Sequence, residues 1–167
     1  LIIIDYPGTE PDVTFTYDLN GQRIGMTDGL GATTWTYDNL NRLISVTDAN
    51  GNTIGYGYDA VGNRIALTYP DNKTVSYAYD DVNQLTGVTG WDNQSIGYGY
   101  DDAGRLTSVS RPNGIESQYS YDNAGRLIGL DHALGVEPLA SYDYLYDAAG
   151  NRIQAIENVN QPELPPT

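Results

Sequence analysis

The 167 residues carry 22 acidic and eight basic side chains, and the net charge of -14 repels phosphate backbones and anionic lipid, which argues against nucleic-acid and membrane-surface partners. With no Cys, neither a disulfide framework nor a thiolate metal site is open to the chain, and no apolar stretch approaches the ~20 residues that span a bilayer. Apolar residues make up 40%, but fifteen Tyr and 19 Gly stand against one Phe and one Met, so the sequence favours amphipathic rings over an aliphatic core and points to a thin, sheet-like body.

The chain opens with the β-prone run Leu1-Ile2-Ile3-Ile4-Asp5. It has no basic region before it and no small-residue cleavage site behind it, so it does not read as a signal peptide. Beginning without Met, the sequence reads as a mature product or an excised piece. Residues 1–12 are expected to be an extended strand and a linker, with Pro7, Gly8 and Pro11 detaching the strand from the first hairpin.

Beyond the linker a dipeptide recurs: Tyr17-Asp18, Tyr37-Asp38, Tyr58-Asp59, Tyr79-Asp80, Tyr100-Asp101, Tyr121-Asp122 and Tyr146-Asp147, at successive spacings of 20, 21, 21, 21, 21 and 25. Four residues after each Tyr stands Gly21, Asn41, Gly62, Asn83, Gly104, Gly125 or Gly150. Gly, and to a lesser degree Asn, adopts φ > 0 cheaply, so this is the left-handed residue of a tight turn, which the preceding Asp helps to close through backbone N–H groups. A polar and an aliphatic residue come next, as Arg23-Ile24, Arg42-Leu43, Arg64-Ile65, Gln84-Leu85, Arg105-Leu106, Arg126-Leu127 and Arg152-Ile153. Three copies carry one residue more before the Arg (Gln22, Asn63 and Asn151), which reads as a turn of two lengths.

Each unit has a second turn signal, such as Asp28-Gly29-Leu30-Gly31, Asp48-Ala49-Asn50-Gly51 or Pro112-Asn113-Gly114. Between the turns lie runs of about six residues rich in Thr, Tyr, Ile and Val, so two strands and two turns fill the unit and each repeat is a β-hairpin. Alternation places Ile54, Tyr56 and Tyr58 on one face and Thr53, Gly55 and Gly57 on the other, which gives rows of aromatic rings across the sheet. The register of the strand after the Tyr-Asp turn stays open, because Leu43 and Val46 are three apart and share a face only across a bulge. The fold class is therefore all-β: tandem hairpins over 13–157 forming one curved, twisted antiparallel sheet or an open β-spiral, followed by a Pro-rich tail over 158–167.

Six of the eight basic residues are the repeat arginines, expected to lie against a Tyr ring or a Tyr-Asp carboxylate of a neighbouring hairpin, contacts that Lys does not reproduce. The lone His132, placed by the sequence in the long inter-strand loop from Asp131 to Pro138, has no second His or Cys to share a metal and reads as a solvated loop residue. Asp48-Ala49-Asn50-Gly51 has the opening of an oxygen-ligand loop without its closing acidic residue. No catalytic residue, cofactor or metal is expected. The sequons at Asn72 and Asn93 fall on hairpin turns, where a glycan can be accommodated.

The segments Tyr58-Asp59-Ala60-Val61-Gly62-Asn63-Arg64-Ile65 and Tyr121-Asp122-Asn123-Ala124-Gly125-Arg126-Leu127 resemble the YD repeats of the RHS family, and the resemblance covers residues 13 to 157. It implies a long spiralling β-sheet of the kind that forms hollow shells in bacterial polymorphic toxins and insecticidal toxin complexes and the extracellular part of teneurins. The Asp-Pro- and Gly-Leu-rich core segment that ends the repeats of the toxin-bearing members does not occur in these residues, and seven repeats fall short of a closed shell.

A sheet of this kind leaves raw edges. Leu1, Ile2, Ile3 and Ile4 either fold back on their own first edge or add to the sheet of the next molecule, and the second arrangement would chain protomers head to tail. The expectation is a non-catalytic structural protein, secreted or on the cell surface, that self-assembles in this way. The alternatives are a shell segment of a larger RHS-type toxin and a module that binds glycans on its Tyr rows.

Overall fold

The computed structural model describes residues 1–5 and 12–160; the linker at 6–11 and the tail at 161–167 lie outside the described residues. Those residues form strands and no helix, and the chain divides into two compact units, Leu1–Tyr77 and Ala78–Thr167. The first unit holds β1 (Ile2–Ile4), β2 (Val13–Tyr17), β3 (Arg23–Asp28), β4 (Gly31–Tyr37), β5 (Leu43–Thr47), β6 (Thr53–Tyr58), β7 (Arg64–Thr68) and most of β8 (Thr74–Tyr79). The second holds the end of β8 with β9 (Leu85–Thr89), β10 (Ser95–Tyr100), β11 (Leu106–Ser110), β12 (Ile115–Tyr121), β13 (Leu127–Leu134), β14 (Glu137–Tyr146) and β15 (Arg152–Val159). In each unit the strands stand in chain order and pair antiparallel, as hairpins with short turns require.

Every Tyr-Asp turn is the same three-residue loop. At the first, the Asp18 N–H donates to Gln22 O (3.0 Å) and the Gly21 N–H to Asp18 O (3.2 Å), and the pattern repeats from Asp38 to Arg42, Asp59 to Asn63 and onward to Asp147 to Asn151. This is a type I turn closed by a left-handed residue. The seven residues at that position, Gly or Asn, have φ between 63° (Asn41) and 104° (Gly62). The two turn lengths expected from the sequence are not there: Gln22, Asn63 and Asn151 occupy the same closing position as Arg42, Arg105 and Arg126. What moves is the arginine, which stands either at the closing residue or one position later, inside the strand.

The open register is resolved by a bulge. Tyr37 faces Leu43 while Thr36 faces Ser45, so Ile44 is the extra residue and Val46 falls opposite Trp35, on the same face as Leu43. The same shift occurs at Tyr17, Tyr58, Tyr100, Tyr121 and Tyr146.

Neither unit has a conventional core. No described residue of the first unit is buried, and in the second only Val109, Ser117 and Gly129 are. The sheet is held by its ladders and by cross-strand pairs, among them the hydroxyl pairs Thr47–Thr53 (2.8 Å), Thr68–Thr74 (3.1 Å) and Thr89–Ser95 (2.9 Å).

Two expectations are corrected here. The long loop around His132 is instead strand: β13 runs to Leu134 and β14 starts at Glu137, so the 25-residue spacing is absorbed by longer strands with a register shift between His132 and Ala133. β15 continues to Val159, two residues into the expected tail. The N-terminal strand takes the first of its two expected arrangements and pairs within its own chain, Ile2 with Phe15, Ile3 with Thr14 and Ile4 with Val13.

Candidate functional site: the network between repeats

The candidate site is the line of Tyr-Asp turns. In each, one carboxylate oxygen replaces backbone partners that the turn cannot supply: Asp38 Oδ1 accepts the N–H groups of Leu40 (2.9 Å) and Arg42 (2.9 Å), and Asp59 Oδ1 accepts those of Val61, Gly62 and Asn63. These bonds favour the charged form. The carboxyls of Asp38 and Asp122 are held below their ordinary range first by the N–H groups of Arg42 and Arg126. At Asp101 the first cause is the Arg105 side chain, and at Asp48 and Asp147 it is the side-chain amides of Asn52 and Asn151. At Asp59, burial pushes the carboxyl up but is outweighed by the Asn63 amide and the turn N–H groups.

At five of the turns the Tyr of the dipeptide ties its unit to the one before it. The hydroxyls of Tyr37, Tyr58, Tyr100, Tyr121 and Tyr146 donate to the carbonyls of Arg23, Leu43, Leu85, Leu106 and Leu127, at 2.8 to 3.0 Å. All five acceptors occupy one position, just after the preceding turn. These rings are half-buried and their hydroxyls are engaged.

The arginines fall into two classes. Arg42, Arg105 and Arg126, at the closing position, reach the Oδ2 of their own Asp at 2.6 to 2.7 Å. Each also donates to the carbonyl of the next unit's Asp (Asp59 at 2.8 Å, Asp122 at 3.2 Å, Asp147 at 3.1 Å) and lies 4.8 Å from the centre of the next Tyr ring. The carboxylate partner thus belongs to the same hairpin, whereas the ring and the carbonyl belong to the neighbour. Arg23, Arg64 and Arg152, one position later, stack instead on the strand aromatics Trp35 (4.0 Å), Tyr77 (4.9 Å) and Tyr144 (5.1 Å). In two of those copies an Asn amide takes over the carboxylate, Asn63 to Asp59 Oδ2 (2.9 Å) and Asn151 to Asp147 Oδ2 (3.0 Å). The fourth unit, Tyr79-Asp80 to Gln84-Leu85, has arginine in neither position.

A second cluster was not legible in the sequence. Arg111 Nη1 donates to Ser117 Oγ (2.7 Å), which lies 2.7 Å from Nδ1 of His132, and His132 sets its ring edge-on to Tyr142. Ser117 is fully buried, so the serine has no access to a substrate; the cluster pins β12 to β13. His132 is therefore a half-buried strand residue and not a loop residue. Asn72 (φ 64°) and Asn93 (φ 62°) are exposed at the left-handed positions of their turns, which by itself accounts for Asn there. Among the described residues, no three His, Cys, Asp or Glu side chains group as a metal site.

A single-layer antiparallel sheet whose successive hairpins are joined through Tyr, Asp and Arg defines a YD-repeat sheet. A family model described as Teneurin YD-shell matches residues 14–161, and the chain belongs to that family. No curated protein matches. Among solved structures, TcdB2-TccC3 is similar with a TM-score of 0.73 and 20% identity over 96% of this chain and 10% of that one. TcdB2-TccC3-Cdc42 gives 0.70 and 18% over 89% and 9%, and the Photorhabdus luminescens Tc holotoxin pore gives 0.58 and 17% over 92% and 11%. At these identities the likeness is one of fold, and the chain spans about a tenth of the length of the chains it matches.

Proposed function

We propose that this chain is a segment of the wall of a hollow extracellular shell and has no catalytic role. The observation that carries the reading is the direction of the network: five Tyr hydroxyls and each closing-position guanidinium reach a neighbouring unit, so the recurring grammar of the repeat is spent on propagating the sheet rather than on converging on a substrate. Family membership supports the same reading. The test is negative-stain imaging of the polypeptide that contains this sequence with its native flanks. Hollow particles are expected, and extended filaments or dispersed small particles would overturn the proposal.

Self-association through the first edge is the second reading. It is favoured by the exposure of Ile2 (55%), Ile3 (54%) and Ile4 (45%) on an edge strand whose outer side has no partner among the described residues. Removing residues 1–5 separates two roles for β1. If β1 covers the edge of β2, light scattering of the shortened chain shows a higher mass than wild type; if β1 itself recruits a neighbour, the mass falls.

A further inference from the structure

The fourth Tyr-Asp unit keeps the frame of the others and lacks its cation. The turn closes from Asp80 N–H to Gln84 O (3.0 Å), the Gln84 N–H donates to Asp80 Oδ1 (2.8 Å), and the Tyr100 hydroxyl reaches Leu85 O (2.9 Å). Three units of the same chain show what this frame holds: a guanidinium between the first Asp Oδ2, the next Asp carbonyl and the next Tyr ring. Here those three groups are Asp80, Asp101 and Tyr100, and among the described residues no cation reaches Asp80 or the Tyr100 ring. Gln84 is shorter and neutral: its amide lies beside Gly104, as the Arg105 guanidinium lies beside Gly125, but it carries no charge to the Asp80 carboxylate.

The result is a cleft of about 710 Å³ lined by Asp80, Gln84, Thr86, Tyr98, Tyr100 and Asp102 among others. Asp102 adds a second carboxylate with no basic partner among the described residues, so the cleft is acidic where the equivalent slots are neutralised. We propose that this cleft receives the arginine side chain of another polypeptide segment, bound as Arg42, Arg105 and Arg126 are bound in their own repeats. The occupant is argued from charge and shape together. A planar guanidinium serves a carboxylate, a carbonyl and a ring face at once, whereas an ammonium on a flexible stem serves one of them well.

The test is an amide-resolved NMR titration of the full chain with Nα-acetyl-arginine amide, with Nα-acetyl-lysine amide as the control. Saturable shifts are expected at Asp80, Gln84, Tyr100 and Asp102 with the arginine probe, weakening as salt rises. Asp80→Asn lowers the affinity by about tenfold or more. Gln84→Arg fills the slot from within, abolishes the shifts at the cleft and raises the melting temperature. The proposal is overturned by an absence of saturable shifts at the cleft, by equal affinity for the lysine probe, or by undiminished binding in Gln84→Arg. A Gln84→Arg chain that fails to fold also overturns it, because the frame would then not accept a guanidinium.

Discussion

The Tyr hydroxyls offer a comparison within one molecule. Tyr121 donates to Leu106 O at 2.8 Å across neighbouring hairpins in a half-buried setting, whereas Tyr17, in the first unit, is 39% exposed and its hydroxyl has no partner among the described residues. Tyr121→Phe removes one hydrogen bond and leaves the ring in place, at a net cost of about 0.5–1.5 kcal/mol. For a chain of this size that corresponds to a fall in melting temperature of about 1–6 °C. Tyr17→Phe is the same chemical change and is expected to leave the melting temperature where it is. Because repeat arrays open in parts as well as as a whole, calorimetry should be paired with hydrogen exchange, in which the amides of β11 and β12 lose protection in Tyr121→Phe alone. Equal shifts in the two variants, or none in Tyr121→Phe, would refute the claim that the hydroxyl joins one repeat to the previous one.

Arg105→Lys keeps the charge but cannot serve Asp101 Oδ2, Asp122 O and the Tyr121 ring together, so a thermal melt is expected to show a lower midpoint than wild type, and an unchanged midpoint counts against the network. Gly21→Ala meets no atom within 4 Å but must hold φ near 80°, so chemical denaturation should report a loss of about 1–2 kcal/mol from backbone strain, while Asn93→Gly, at φ 62°, should lose nothing. The depressed carboxyls set the response to acid: their stabilisation is fully present above the unfolded carboxyl pKa of about 3.9 and is lost as pH falls through the lower folded values. Circular dichroism should therefore stay constant from neutral pH down to about pH 5 and decay below about pH 4, with a shallower acid limb in Asp122→Asn, whose folded state no longer depends on ionising that group.

Much of this architecture is written in single residues. A left-handed turn position is a property of one residue's φ, so Gly and Asn at seven places in phase announce the turns, and an Asp three residues before each announces how its N–H groups are satisfied. Strand alternation is equally local, which is why the aromatic rows and the family resemblance are legible without coordinates. What needed the tertiary structure is whatever depends on two strands at once. The bulge at Ile44 arises from the pairing of β5 with β4, and the bonds that close the turns show that Gln22, Asn63 and Asn151 are turn-closing residues rather than insertions. His132 reads as loop in the sequence because 25 residues separate the last two dipeptides; only the long β13–β14 ladder, and Ser117 beneath it, make it a strand residue. The rule that joins one Tyr-Asp unit to the next spans 14 to 21 residues of chain, from a hydroxyl or a guanidinium to a carbonyl in the neighbouring hairpin. A linear reading shows that Gln84 departs from the pattern; the register of the sheet turns that departure into an acidic cleft beside an aromatic ring.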